Sequence, residues 1–247
     1  VDARIEQVTT SGKCTLDDTE YDVESNTYIV GDDEEVIVID PAHDAEAILK
    51  AVGDREVMAV ICTDGHDAHL NVAIEVAEAE TGDADDDEGD DDDEDGFAAP
   101  IALHRADRLL WREYFGRLAR DEEDEEDAKA LRSLEPDIYL EDGGVFEIAD
   151  VQLEVHHTPG HTPGSVSLYC EQLDVLFTGD TLHRGRPGSI GGVFNDLRRQ
   201  LNSIGSLITP LPKDTRVLPG QGDETTVADE DARWESWGAL ARESDED

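Results

Sequence analysis

The longest apolar runs in this chain, such as Val36 to Ile39 and Ala59 to Cys62, are only strand-sized, and each runs out into a polar loop. A membrane-spanning helix, which needs about 20 apolar residues, is therefore not expected. Val1 to Val8 is mixed polar, so no signal peptide is expected either. What the pattern asks for is a set of short buried strands joined through helices. Val36 to Ile39 reads as a strand with Asp40-Pro41 as its exit, and Asp44 then caps a helix whose apolar face is Ala45, Ile48, Leu49 and Val52. Val57 to Cys62 is the next buried strand. The histidine-bearing loop that starts at Thr63 sits at its carboxyl end and feeds an amphipathic segment, Leu70 to Ala79. A rigid strand tip is where ligand atoms can be held accurately.

The second half repeats the theme loosely. After strand Ile101 to His104, the helical spacing of Leu109, Leu110, Trp111, Tyr114, Phe115 and Leu118 reads as an excursion packed on the sheet, with a lid over a site as the alternative. Gly143-Gly144 turns into Val145 to Ile148. The alternating Val151, Leu153 and Val155 lead to a second histidine loop, and strands follow at Val166 to Tyr169 and Val175 to Thr178. Phe194, Leu197, Leu201, Ile204 and Ile208 make a helical stripe before a last short strand at Val217-Leu218. Arg233 to Asp247 reads as a terminal helix fraying into an acidic tail over 243–247. No linker divides the 247 residues, and one domain over 1–247 is expected.

Charge narrows the partners. The formal net charge is −44, and although Asp83 to Asp95 supplies eleven of the acids, the excess persists without them. Residues 82–96 carry too little apolar content to offset ordering and are expected to form an acidic mobile loop. A surface this negative repels nucleic acid and anionic lipid, so neither is expected as a partner. Four Lys stand against fifteen Arg. An acidic, lysine-poor surface suits molar salt, where screening shrinks to a few ångströms, and is read as halophilic; an ordinary acidic protein with an acidic loop is the alternative. Cys14, Cys62 and Cys170 are odd in number and widely spaced, which argues for a reducing cytoplasm and against disulfides or a thiolate metal site. Cys62 reads as a small core residue.

Four blocks carry the chemistry: Thr63-Asp64-Gly65-His66-Asp67-Ala68-His69, His157-Thr158-Pro159-Gly160-His161-Thr162-Pro163-Gly164-Ser165, Phe177-Thr178-Gly179-Asp180-Thr181 and Pro219-Gly220-Gln221-Gly222. In order and spacing they resemble the metallo-β-lactamase superfamily. That resemblance implies an α/β fold, a four-layer αββα sandwich of two mixed β-sheets flanked by helices, and the order of strands and helices in two similar halves fits it. In the family the first block usually reads T-H-x-H-x-D-H. Its ligands, with histidines of the later blocks and the Asp of G-D-T, hold two metals that lower the pKa of water and clamp the oxyanion formed on its attack. His66, His69, His161 and Asp180 match. Asp64 stands where the first His is usual, Ala68 where the Asp is, and Gln221 where the last His is.

The first metal position would thus keep His66, His161 and Asp180, with Asp64 a plausible carboxylate replacement, while the second keeps only His69 and Asp180. One divalent metal is expected, zinc before iron, held by His66, His161, Asp180 and either Asp64 or His69. Asp64, His66, His161 and Asp180 are expected to be catalytic. His183, Arg184 and Arg186 follow the Gly-Asp-Thr block and are candidates for binding a substrate carboxylate or thiol-conjugate anion, or merely offset the acidic surface. Asp67 is expected to point away from the ligands; His43, His104 and His156 read as structural, and His157 as the end of a strand.

The chain is most similar to single-domain glyoxalase II-like members, because too little sequence follows Gln221 for an added helical domain. The resemblance therefore implies a cytoplasmic, metal-dependent hydrolase of a thioester or related acyl substrate, in a high-salt cytoplasm, with a small molecule as its partner and its oligomeric state open. Two alternatives stay open: a mononuclear non-haem iron oxygenase acting on a thiol derivative, and a non-catalytic protein that keeps the fold for binding.

Overall fold

The computed structural model describes residues 2–16, 19–79, 98–188, 195–234 and 237. The acidic loop at 82–96, Phe194 and the tail at 243–247 lie outside the described residues. Six strands form the first sheet in chain order: β1 (Arg4–Leu16), β2 (Thr19–Gly31), β3 (Glu35–Ile39), β4 (Glu56–Ile61), β5 (Ile101–His104) and β6 (Ile138–Leu140). β1 to β3 pair antiparallel and β3 to β6 parallel, so the sheet is mixed. The helices α1 (Ala45–Val52), α2 (Asp67–Leu70), α3 (Ala73–Ala77), α4 (Arg108–Asp121) and α5 (Glu125–Ser133) lie between its strands in sequence.

The second sheet is built from β7 (Val145–Ile148), β8 (Val151–His157), β9 (Val166–Cys170) and β10 (Val175–Gly179), then, past a small ribbon of β11 (Leu182–His183) and β12 (Arg186–Pro187), from β13 (Arg216–Pro219) and β14 (Thr225–Thr226). Its order is β14-β13-β10-β9-β8-β7, with β13 parallel to β10 and the other pairs antiparallel. Helices α6 (Leu197–Ile208) and α7 (Val227–Asp231) belong to this half.

Two-residue alternation assigns the layers. On β3, Ile37 and Ile39 join Tyr28, Ala59 and Ile61 against Leu153, Val155, Leu168 and Phe177 of the second sheet. Tyr28 and Phe177 meet there with ring centroids 5.2 Å apart. Val36 and Val38 face the other way, onto Ile48 and Val52 of α1, Val76 of α3 and Trp111 and Phe115 of α4. On the far side Leu176 and Val217 pack on Leu201, Ile204 and Ile208 of α6. Helix, sheet, sheet, helix is the αββα sandwich, and each fully buried Ile, Val or Leu in it contributes about 1.5–3 kcal/mol. No helix among the described residues is long and apolar enough to cross a membrane.

Several elements differ from the sequence reading. The hairpin of β1 and β2, thirteen residues a side, departs from that reading; the outer half of β2 is exposed, and Tyr21 and Val23 are too short an alternation to announce it. Leu70 to Ala79 is not one helix but parts of α2 and α3, broken at Asn71, whose side chain is committed to the backbone and ring of His43. The acids after α4 include a further helix, α5, capped by Asp124. Val217-Leu218 is followed by β14 rather than being the last strand. The α4 segment is packed on the sheet, with Trp111 at 1% and Phe115 at 4% exposure.

Candidate metal centre

The four sequence blocks meet at one edge of the two sheets because the parallel pairs β3–β4 and β10–β13 end there together. Asp40, at the end of β3, adopts φ 54°, a left-handed conformation that Asp tolerates. Its carboxylate accepts from the Thr63 amide and hydroxyl, both at 2.7 Å, and lies 3.1 Å from His69 Nδ1. One side chain thus orients both ends of the first loop. Thr63 also ties the sheets, its carbonyl accepting from the Val166 amide at 2.8 Å. Gly179 closes against it with φ 48°, and a Cβ there would sit 2.2 Å from Thr63 Oγ1, so only glycine lets β10 turn into Asp180 at this point.

The described donors form two groups that share one residue. Asp64, His66 and His161 make the first, and Asp64, His69 and Asp180 the second; within each, the donor atoms lie within 4.8 Å of one another. His66 Nδ1 is 3.0 Å from His161 Nε2, and Asp64 Oδ1 is 3.6 Å from His66 Nδ1. Asp64 Oδ2 is 3.8 Å from both His161 Nε2 and His69 Nε2. Asp180 Oδ2 is 3.2 Å from His69 Nε2 and 3.5 Å from His161 Nε2. Asp64 is 1% exposed and His69 0%, yet Asp64 Oδ2 and His69 Nε2 have no hydrogen bond. Buried polar atoms left unmade cost about 1–3 kcal/mol each. A site with orphaned acceptors aimed at one another is satisfied by a cation, so the residues fit a divalent metal.

Around this set the structure separates the candidate donors from the groups that support them. Ala68 is buried and offers no donor. The Gln221 amide donates to Asp180 Oδ2 at 2.9 Å and Oδ1 at 3.3 Å. His183 is buried, with Nε2 2.8 Å from Asp180 Oδ1, so it bonds the Asp180 carboxylate instead of lining an open groove. Arg184 is exposed and paired with Asp223 at 3.3 Å, and Arg186 is exposed. Asp67 turns away to the Thr15 amide and Arg117. His43 bonds Ser25 and Asn71. His104 stacks on His157 at 4.0 Å, and burial, with His157 beside it, pushes its pKa down to about 4.

Electrostatics mark the same atoms. Burial disfavours a charged His69, but the carboxylates of Asp64, Asp40 and Asp180 outweigh it and hold its pKa well above the ordinary histidine value. Asp180 is the mirror image: burial pushes it up, His69 and His183 prevail, and it stays well below the usual carboxylate range. Burial lowers His161, which favours the neutral, ligating form.

Two residues escaped the sequence reading. The sequence marks Asp40 only as a strand exit. Asp107, ahead of α4, is fully buried and accepts from Gly65, Thr162 and Gly164. The pairing of Asp40 with a strand tip could have been suspected from its position before Pro41; nothing in Arg105-Ala106-Asp107 announces a contact with loops more than forty residues away in either direction.

A model described as the metallo-beta-lactamase superfamily matches residues 87–235. An uncharacterised protein of Aquifex aeolicus is 32% identical over 84% of this chain and 89% of its own length. A hydroxyacylglutathione hydrolase of Haemophilus influenzae is 25% identical over 84% of this chain and 90% of its own. Among solved structures, a protein in a di-iron-bound form superposes with a TM-score of 0.64 at 28% identity, covering 85% of this chain and 93% of that one.

Proposed function

This chain belongs to the metallo-β-lactamase superfamily, and on that premise we propose that it is a hydrolase of a thioester or related acyl substrate, dependent on one divalent metal held by Asp64, His66, His161 and Asp180. The observation that carries the reading is the placement of Asp64, which belongs to both donor groups and leaves Oδ2 buried without a hydrogen bond. The relative named as a hydroxyacylglutathione hydrolase supports a glyoxalase II-like substrate, a small acyl thioester. The acidic, lysine-poor composition supports a high-salt cytoplasm as the setting.

When bound, a divalent ion supplies a water of lowered pKa and polarises the acyl carbonyl. The chain's own groups do the rest. His161 and His69 are sealed at 3% and 0% side-chain exposure, whereas His66 is 16% exposed, so substrate approaches on the His66 side. Asp180 is held in one orientation by His183 and Gln221, which leaves its Oδ2 edge facing His69 and His161. Arg184 and Arg186, exposed one and three residues beyond His183, are the groups we propose to meet a substrate carboxylate with a planar fork.

Two imidazoles and one carboxylate in the first group are also the donor set of non-haem iron enzymes. That observation favours an iron oxygenase acting on a thiol derivative as the second reading. Turnover of acyl thioesters of low-molecular-weight thiols, followed in molar KCl after loading with zinc or with ferrous iron, separates the two. Hydrolysis is expected, falling about 10³-fold or more in Asp64→Ala and His161→Ala and surviving in His104→Ala. Oxygen uptake without hydrolysis supports the second reading, and hydrolysis untouched by His161→Ala contradicts both.

A further inference from the structure

We infer that Asp107 is a positioning residue that locks the two ligand-bearing loops into one register, so that the spacing of His66 and His161 is set by a carboxylate that touches neither. The inference rests on the proposed metal-dependent function and adds to it a residue outside the ligand set.

Asp107 stands at the N-cap of α4, where an aspartate ordinarily accepts from amides of its own first turn. Its side chain makes no such bond. Both oxygens are spent elsewhere: Oδ2 accepts from the Gly65 amide at 3.0 Å and the Thr162 hydroxyl at 2.6 Å, and Oδ1 from the Gly164 amide at 2.6 Å. Gly65 lies between Asp64 and His66, and Thr162 follows His161. Three donors from two loops therefore converge on one fully buried carboxylate.

The fit is steric as well as polar. A Cβ on Gly164 would lie 2.6 Å from Asp107 Cγ, and one on Gly65 would lie 3.0 Å from Asp107 Cβ and 2.8 Å from Leu110 Cβ. Each loop presses against Asp107 as closely as a backbone can, and glycine is what each offers at the contact. Thr162 is fixed in turn, its amide donating to Ser165 Oγ at 2.9 Å and its hydroxyl lying 2.7 Å from the same atom. A buried anion is an expensive way to join two loops if stability alone is wanted, since burying charge costs more than an apolar contact returns. It is effective where ligand atoms must be held to a fraction of an ångström. The 3.0 Å separation of His66 Nδ1 and His161 Nε2 is the spacing so held.

The test is the affinity for Co²⁺, read from its visible absorption in the full chain in molar KCl, in wild type, Asp107→Asn, Thr162→Val and the double variant. Asp32→Asn serves as a control, because Asp32 accepts from two backbone amides at an exposed turn away from the site. Asp107→Asn should bind Co²⁺ about 10–100-fold more weakly with an altered spectrum. Thr162→Val should weaken it less, and the double variant by less than the product of the two. Amide exchange in the metal-free protein guards against simple misfolding: Gly65 and Gly164 should lose protection together in Asp107→Asn while the strands keep theirs. Wild-type Co²⁺ affinity in a folded Asp107→Asn overturns the inference alone. Absence of Co²⁺ binding in wild type overturns the proposed function and the inference with it.

Discussion

Two carboxylates, Asp64 and Asp180, face three imidazoles in this site, and that balance decides how it handles protons. In the metal-free protein His69 is held well above the ordinary histidine value despite burial, because Asp64, Asp40 and Asp180 surround it. That surrounding favours its protonated form, with Nε2 3.2 Å from Asp180 Oδ2. A ligating imidazole must be neutral, so a metal drawn to this carboxylate pair has to displace that proton or its charge. Metal uptake at pH 7 should release protons, and affinity should rise with pH until His69 is neutral without help. Calorimetry of Zn²⁺ binding in buffers of different ionisation enthalpy measures this directly. A His69→Gln variant should release fewer protons, and equal release would show that His69 is not the donor. Burial lowers His161, which makes it the weaker proton source of the two.

At the scale of elements, the site depends on a helix, α4, that supplies none of its donor atoms. α4 is anchored by Trp111, whose ring is 1% exposed and whose Nε1 donates to the Leu134 carbonyl at 3.0 Å. Trp111→Ala should cost about 3–5 kcal/mol in urea unfolding. It should also loosen Asp107, four residues earlier, where a surface change such as Leu109→Ala should do neither. Much of this layer could be read beforehand. Strands β3, β4, β8, β9 and β10 and helices α1, α4 and α6 announce themselves through apolar period, since they are buried on one or both faces. The β1–β2 hairpin could not be read this way, because the outer half of β2 is exposed and pairing there is a matter of backbone bonds. Of the site, the donor-bearing blocks that converge were legible, as was the turning away of Asp67. The role of His183 toward Asp180 and that of Asp107 toward both loops were not. Each is a contact of orientation or of long sequence separation, and no local pattern encodes either.

The whole molecule joins a buried site to a surface of net charge −44. In dilute buffer such a charge repels itself and favours expansion, and in molar salt the Debye length of about 3 Å suppresses the repulsion. The two sheets converge on the site while both are docked through Tyr28, Phe177 and the Thr63–Val166 link. The same field draws divalent cations toward the protein without choosing where they sit; the choice falls to the buried donors. The direct test is therefore metal content per chain by mass spectrometry, on protein purified in molar KCl without chelator or added metal, in wild type and in Asp64→Ala. A one-metal centre held by Asp64 predicts about one tightly held zinc or iron per chain in wild type and near none in Asp64→Ala. A wild type without metal, or a variant that keeps its full complement, would contradict it.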